Sequence, residues 1–199
     1  MWHSYPNKPI TKIDHRKHVR CSNRRCNTER THQSRSPIYE SPHPLPSERI
    51  QLEDNLVLRS GTPEDAEQTI ELNRLVHGNP EKNEPSDEIA LWTADLFAGY
   101  NKAISPSDFT IVEDTSTGKI VSTICLMSQV WNIGGIDTPM GMPEAVGTHP
   151  DYRRRGLVRK QFELMHKWSA DRGQLFNTIM GIPNYYRQFG YEYAIDAYG

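Results

Sequence analysis

The sequence predicts a mixed α/β (α+β) fold in which helices flank one mostly antiparallel sheet. Two β-branched runs, 109–113 and 119–130, are separated by a turn composition over 114–118, which indicates an antiparallel hairpin. A further extended run over 142–148 leads into an amphipathic helix, and another apolar run follows that helix. Strands gathered before and after one such strand-to-helix crossover favour a sheet that is mixed rather than purely parallel.

The first elements are marked by a strand and a helix-start signal. We predict a short strand over 55–59. Thr62 then stands at an N-cap, with Pro63 at the first helical position and Asp65 in the capping-box position. Helical spacing of apolar residues continues to Gly78, where the first helix should end.

A second helix follows the polar, proline-bounded loop 79–85. Ser86 is placed to cap this helix, acidic residues fill its first turn, and it should end near Gly99. Three aromatic residues in this region are expected to form core or the wall of a cleft: Trp92, Phe97 and Tyr100.

The C-terminal half contains a reversal, one long helix and shorter elements. A glycine-rich reversal is predicted over 133–139 and a helix over 155–173. We then predict a strand over 175–180, a short helix from Pro183 and a strand over 191–197. The buried face of the long helix should consist of Leu157, Phe162, Leu164, Met165 and Trp168.

Residues 1–48 differ in composition from residues 49–199. They contain nine Lys and Arg against four Asp and Glu, and five of the eight His. Because so few aliphatic residues cannot offset the entropy of ordering, we predict a disordered basic tail before one folded domain. An organellar transit peptide would need an apolar face that the tail lacks. Its potential zinc ligands also lack tight pairing, so no metal is expected. They are His15, His18, Cys21, Cys26 and His32.

Charge and cysteine content narrow the function classes. The net charge is −2, so composition argues against a nucleic-acid or membrane partner. No apolar run approaches the ~18 residues that span a bilayer. Three cysteines without a framework spacing indicate a reducing compartment, so we expect a cytoplasmic protein. Cys125 lies inside a predicted strand and is expected to be a buried apolar residue.

The stretch 142–160 reads MPEAVGTHPDYRRRGLVRK, an extended run followed by a proline turn, three arginines and Gly156 before a helix. A helix N-terminus leaves its first N–H groups unpaired and carries roughly half a positive charge. Glycine lets a phosphate approach closely, and the basic run favours an anionic partner at this end. The pattern predicts a pyrophosphate site.

These residues resemble the loop Q/R-x-x-G-x-G/A of the GNAT superfamily of N-acetyltransferases, with RRRGLV at 153–158. A second string, YYRQFGY at 185–191, is similar to the superfamily signature FY-x-x-x-GF. Val158 stands where a small residue is usual, which is similar to the enhanced-intracellular-survival type. The resemblance covers residues 56–199.

In this family the loop holds the pyrophosphate of acetyl-CoA, and the preceding strand binds the pantetheine arm. The resemblance therefore implies acetyl transfer to a small-molecule or peptide amine by direct attack in a ternary complex. Acetyl-CoA would be the co-substrate, without a metal. The implied cofactor-binding residues are Val146, Gly147, Thr148, Arg153, Arg154, Arg155, Gly156, Leu157, Val158 and Arg159.

The resemblance places Tyr186 as the general acid that protonates the CoA thiolate, because a phenol is protonated at neutral pH. Tyr185 is its rival. A backbone N–H over 146–148 would polarise the carbonyl. The general base is left open between Glu144, on the cofactor strand, and His149, whose position before a proline belongs to the turn.

Two further expectations concern the end of the chain and the alternatives. The chain stops in what the resemblance makes the sixth strand, so we expect a C-terminally truncated domain, a fragment or an oligomer whose partner closes the sheet. A catalytically inactive acyl-CoA-binding module is therefore an alternative. A nucleic-acid binder that uses the arginines at 153–155 and in the tail is disfavoured, since residues 49–199 carry an excess of seven acidic groups.

Overall fold

A computed structural model of the chain describes residues 49–79, 81–82 and 84–194. These residues form a six-stranded sheet in which the strands are ordered as in the sequence. Neighbouring strands are antiparallel except for the last pair, which is parallel, and this confirms the predicted mixed sheet. The strands are β1 (Ile50–Gln51), β2 (Leu56–Ser60), β3 (Phe109–Asp114), β4 (Lys119–Ile133), β5 (Ile136–Thr148) and β6 (Phe176–Asn177).

The helices are α1 (Ala66–Val76), α2 (Asp87–Phe97) and α3 (Leu157–Asp171). A single 3-10 turn with the predicted capping box at Thr62 precedes α1. The hydroxyl of Ser86 accepts the N–H of Ile89 and caps α2 as predicted. Among the described residues, no helix is long and apolar enough to cross a membrane. The predicted tail and its His and Cys residues lie outside the described residues.

The hairpin between β4 and β5 is longer and tighter than predicted. Pairing continues to Ile133 opposite Ile136, so only Gly134 and Gly135 form the reversal expected over 133–139. Both glycines have positive φ, at 60° and 89°. A two-residue hairpin requires this conformation, and glycine adopts it without strain.

The helices cover the two faces of the sheet separately. α3 packs on one face, where Phe162 and Met165 are almost fully buried. α1 and α2 pack on the opposite face, where Leu72 and Leu96 join a second apolar cluster. Cys125 belongs to this second cluster and is inaccessible to solvent, as the sequence predicts.

Three predictions for the C-terminal part are wrong in extent or kind. Of the strand expected over 175–180, only Phe176–Asn177 pairs with the sheet. The short helix is the 3-10 segment Tyr186–Phe189, and residues 191–194 form no strand. Tyr191 instead packs against α3. Its ring centroid lies 5.8 Å from that of Phe162, and its hydroxyl lies 3.1 Å from His166 Nε2. The rest of that predicted strand lies outside the described residues.

Candidate functional site

The outer edge of β5 is open over most of its length. β6 pairs with β5 only at Met140 and Gly141, and the N–H of Thr178 makes the next bond, to the Gly141 carbonyl at 3.0 Å. No described strand pairs with this edge over residues 142–148. Free backbone N–H and C=O groups along a strand edge can bind an extended ligand as an added strand.

A β-bulge interrupts β5 at this open edge. Two residues, Ala145 and Val146, lie opposite Ile124 alone, because the pairing register shifts between Thr123 and Cys125. Ala145 adopts a φ of 52°, which is uncommon for a residue with a side chain. Bulges turn the strand and redirect its backbone groups. The sequence offered no signal for this bulge, because the residue with positive φ is not glycine.

The loop after β5 ends at the N-terminus of α3. Gly156 is the N-cap residue and has a φ of 71°. A Cβ added at Gly156 would meet nothing within 4 Å, so the space beside it is open. The first turn of α3 holds no acidic side chain, and its unpaired N–H groups form an anion-binding end. Before it, Arg153 Nε donates to the Thr148 carbonyl at 3.3 Å.

The arginines of this loop differ in their partners. Arg155 Nη1 lies 3.5 Å from Asp54 Oδ2, in the turn between β1 and β2. Arg159 donates to the side chain of Gln188 at 3.0 Å. Arg154 is exposed and forms no ion pair with any residue that the structure describes. Of these arginines, only Arg155 is ion-paired among the described residues, and Arg154 makes no described hydrogen bond that an anion would have to replace.

Buried contacts hold this loop against the sheet. Leu157 is 4% exposed and Val158 packs beside it at the margin of the α3 cluster. The Ser122 hydroxyl lies 2.7 Å from Thr148 Oγ1 and donates to Gln161 Oε1 at 2.7 Å. This chain of hydrogen bonds joins the end of β5 to α3, so the strand and the helix N-terminus form one rigid corner.

Glu144 and Gly147 both lie on the side of β5 that faces α1 and α2. Glu144 pairs across the sheet with Cys125, and burial raises the pKa of its carboxyl group to about 7. A carboxylate with this pKa can both accept and release a proton near neutral pH. Gly147 permits close packing, because an added Cβ would lie 2.7 Å from Val76 Cγ2.

Tyr186 begins the 3-10 segment Tyr186–Phe189 and packs against the apolar cluster under α3. Its half-buried ring packs edge-to-face on Phe162, with the centroids 6.0 Å apart. Burial is the main cause that raises the pKa of Tyr186 to about 12, and Tyr185 and the negative charge of Glu144 add to it. The contribution of Glu144 is the smallest of the three, and it couples the charge of this carboxylate to the protonation of the phenol.

The two rival residues occupy different positions. The Tyr185 ring packs edge-to-face on the rings of Tyr186 and Phe189, with centroid distances of 5.1 Å and 5.7 Å. His149 Nδ1 accepts the N–H of Asp151 at 3.3 Å and so caps the turn before α3. In the described part of the chain, no group of three or more His, Cys, Asp or Glu side chains could hold a metal ion.

Comparison with known proteins shows which family this chain resembles. The family model for the acetyltransferase (GNAT) domain matches residues 57–194. Comparison with the curated proteins gives no match.

Solved acetyltransferase structures share the fold. An acetyltransferase from Trypanosoma brucei is 20% identical, with a TM-score of 0.54, over 71% of this chain and 95% of its own. A GNAT family acetyltransferase from Brucella melitensis in complex with acetyl-CoA is 19% identical, with a TM-score of 0.54, over 69% of this chain and 82% of its own. Eis1 from Mycobacterium abscessus is 16% identical, with a TM-score of 0.53, over 68% of this chain and 31% of its own.

Proposed function

Because the chain belongs to the GNAT acetyltransferase family, we propose that it transfers the acetyl group of acetyl-CoA to an amine by direct attack in a ternary complex. One observation carries the proposal. The open edge of β5 over 142–148 leads directly to the uncapped N-terminus of α3. An extended arm that ends in a pyrophosphate matches this succession of a free strand edge and an anion site.

The cofactor would lie along this corner. The pantetheine arm would follow the backbone of residues 146–148, and the pyrophosphate would accept the N–H groups of residues 156–159. Arg154 would supply charge, since its guanidinium has no ion-pair partner in the described part of the chain. Arg153 and Arg159 would border the site, while Arg155 holds the loop to the β1–β2 turn through Asp54.

Glu144 and Tyr186 would perform the proton transfers. The amine nitrogen attacks the thioester carbonyl carbon, whose oxygen is polarised by a backbone N–H over 146–148. Glu144 accepts a proton from the amine, for which a pKa near 7 is suitable. As the carbon–sulfur bond breaks, Tyr186 gives its proton to the departing thiolate. A phenol with a pKa of about 12 is fully protonated at neutral pH and thus ready to donate.

The test compares Tyr186→Phe with the matched variant Tyr185→Phe, using release of free CoA thiol with a panel of amines. Tyr186→Phe keeps the ring that packs on Phe162, so the fold and the affinity for acetyl-CoA should persist. The turnover number should fall roughly a hundredfold to ten-thousandfold, which is typical of a lost general acid. Tyr185→Phe should have a much smaller effect. Equal activity in both variants would refute Tyr186 as the acid, and cofactor binding without transfer to any amine would favour an inactive binding module.

A further inference from the structure

A row of half-buried side chains runs from Glu144 toward the β4–β5 turn on the face that α1 and α2 cover. The pairing register places Cys125 opposite Glu144, and the alternation of strand side chains carries the row through the next pairs on this face. We call its accessible members the acceptor row. They are Glu144, Met142, Thr138, Gln129 and Trp131.

The polar atoms of the acceptor row bind one another. Trp131 Nε1 donates to Gln129 Oε1 at 2.8 Å, and Gln129 Nε2 lies 3.6 Å from Met142 Sδ. Trp131 is also held edge-to-face by Phe176, with centroids 6.2 Å apart. The Thr138 hydroxyl donates to the Ile136 carbonyl at 3.1 Å. The indole N–H and this hydroxyl proton are therefore in use, and the surface left for a ligand is mainly an indole ring, a thioether and the amide of Gln129.

The helices contribute an aromatic ring to this face. Trp92 of α2 and Met142 both pack at the margin of the cluster that contains Met127. Of the side chains that β4 and β5 place on this face over 127–131 and 138–144, only Glu144 can carry a charge. A second ammonium group bound along the row would lose hydration without gaining a carboxylate from either strand, which costs free energy.

We infer that the acceptor is a primary amine on an aromatic or aliphatic body, which lies along the acceptor row with its nitrogen at Glu144. This inference rests on the proposed acetyl transfer and adds the class of acceptor to it. Aromatic contact with Trp131 and Trp92 supplies the binding energy for such a body. Polyamines and aminoglycosides, which carry several ammonium groups, are disfavoured by the same surface.

The experiment measures kcat/KM for tryptamine and 2-phenylethylamine against spermidine and neamine, by release of CoA thiol from the wild-type chain. We expect the arylalkylamines to be favoured at least tenfold, about the effect of one to two methylene groups in an apolar pocket. A preference for spermidine or neamine would overturn the inferred class and leave the proposed transfer intact. If neither class is acetylated but another amine of the panel is, the inference falls and the transfer stands; if acetyl-CoA binds and no amine of the panel is acetylated, both fall.

Two variants test the row itself. Trp131→Ala should raise KM for tryptamine about tenfold or more with little change in kcat, since it removes apolar contact and no reacting group. Leu91→Ala is the matched control, because Leu91 is a 70% exposed residue of α2. Gln129→Glu should improve the relative use of spermidine by adding a carboxylate. An unchanged KM in Trp131→Ala, or an unchanged preference in Gln129→Glu, would contradict the inference.

Discussion

Replacing Glu144 by glutamine should stabilise the protein while it removes activity. Burial raises the pKa of the carboxyl group from 4.5 to about 7. One pKa unit corresponds to about 1.4 kcal/mol, so full ionisation costs the folded state at most ~3.5 kcal/mol. The side chain keeps some access to solvent, which reduces the expected figure to about 1–2 kcal/mol. The neutral amide of Glu144→Gln avoids this cost.

The sign of the pH dependence follows from the direction of the shift. Below pH 4.5 the carboxyl group is protonated in both the folded and the unfolded state, so it adds no cost. As the pH rises through about 7, the folded state must ionise a buried group that the unfolded state ionises freely. Stability attributable to Glu144 is therefore lost between these values, and the advantage of the glutamine variant should be larger at pH 8 than at pH 5.

Urea unfolding of the wild type and Glu144→Gln at pH 5 and pH 8 measures this difference. Glu163→Gln is the matched control, since the Glu163 side chain is 56% exposed on α3 and forms its ion pair at the surface. We expect this variant to change the free energy of unfolding by less than about 0.5 kcal/mol at either pH. With the same two proteins, the rate of acetyl transfer by the wild type should rise with pH through about 7. This rise should be absent in Glu144→Gln. An equal gain at both pH values, or a destabilised variant at pH 8, would show that Glu144 is not a buried group that must ionise.

Three further perturbations test the cofactor site, the placement of the phenol and the domain boundary. Gly156→Glu should abolish acetyl-CoA binding measured by calorimetry. Gly173→Glu is the control, because Gly173 lies at the other end of α3 and has a similar φ of 68°, so this variant should strain the backbone equally and still bind acetyl-CoA. Loss of binding in both variants would contradict the anion site. At Gly181, with a φ of 155°, an added Cβ would lie 2.9 Å from Tyr186 Cε2 and 3.3 Å from its hydroxyl. Gly181→Ala should therefore lower kcat about tenfold to a hundredfold, and a further loss when it is combined with Tyr186→Phe would show that it does not act through the phenol. Deletion of residues 1–48 should leave the affinity for acetyl-CoA unchanged; a folded deletion variant that binds more weakly would refute the boundary.

Local signals in the sequence determined the parts of the fold that depend on neighbouring residues. The capping box at Thr62 and the hydroxyl of Ser86 start the helices where predicted. The apolar spacing along α3 marks its buried face, and the glycine-bounded turn joins β3 to β4. The basic loop before Gly156 likewise predicted the position at which α3 begins, and the anion site proposed there relies on the unpaired N–H groups that a helix N-terminus has in any fold.

Tertiary structure alone decided the features that depend on distant residues. The bulge at Ala145 arises from the register between β4 and β5, and no residue type marks it. The gap beside β5 exists because β6 pairs for only two residues before the chain turns toward α3. Burial in that setting, and not sequence position, raises the pKa of Glu144. Periodicity reports which face of an element is apolar, but the distance between two elements is set by packing of the whole domain.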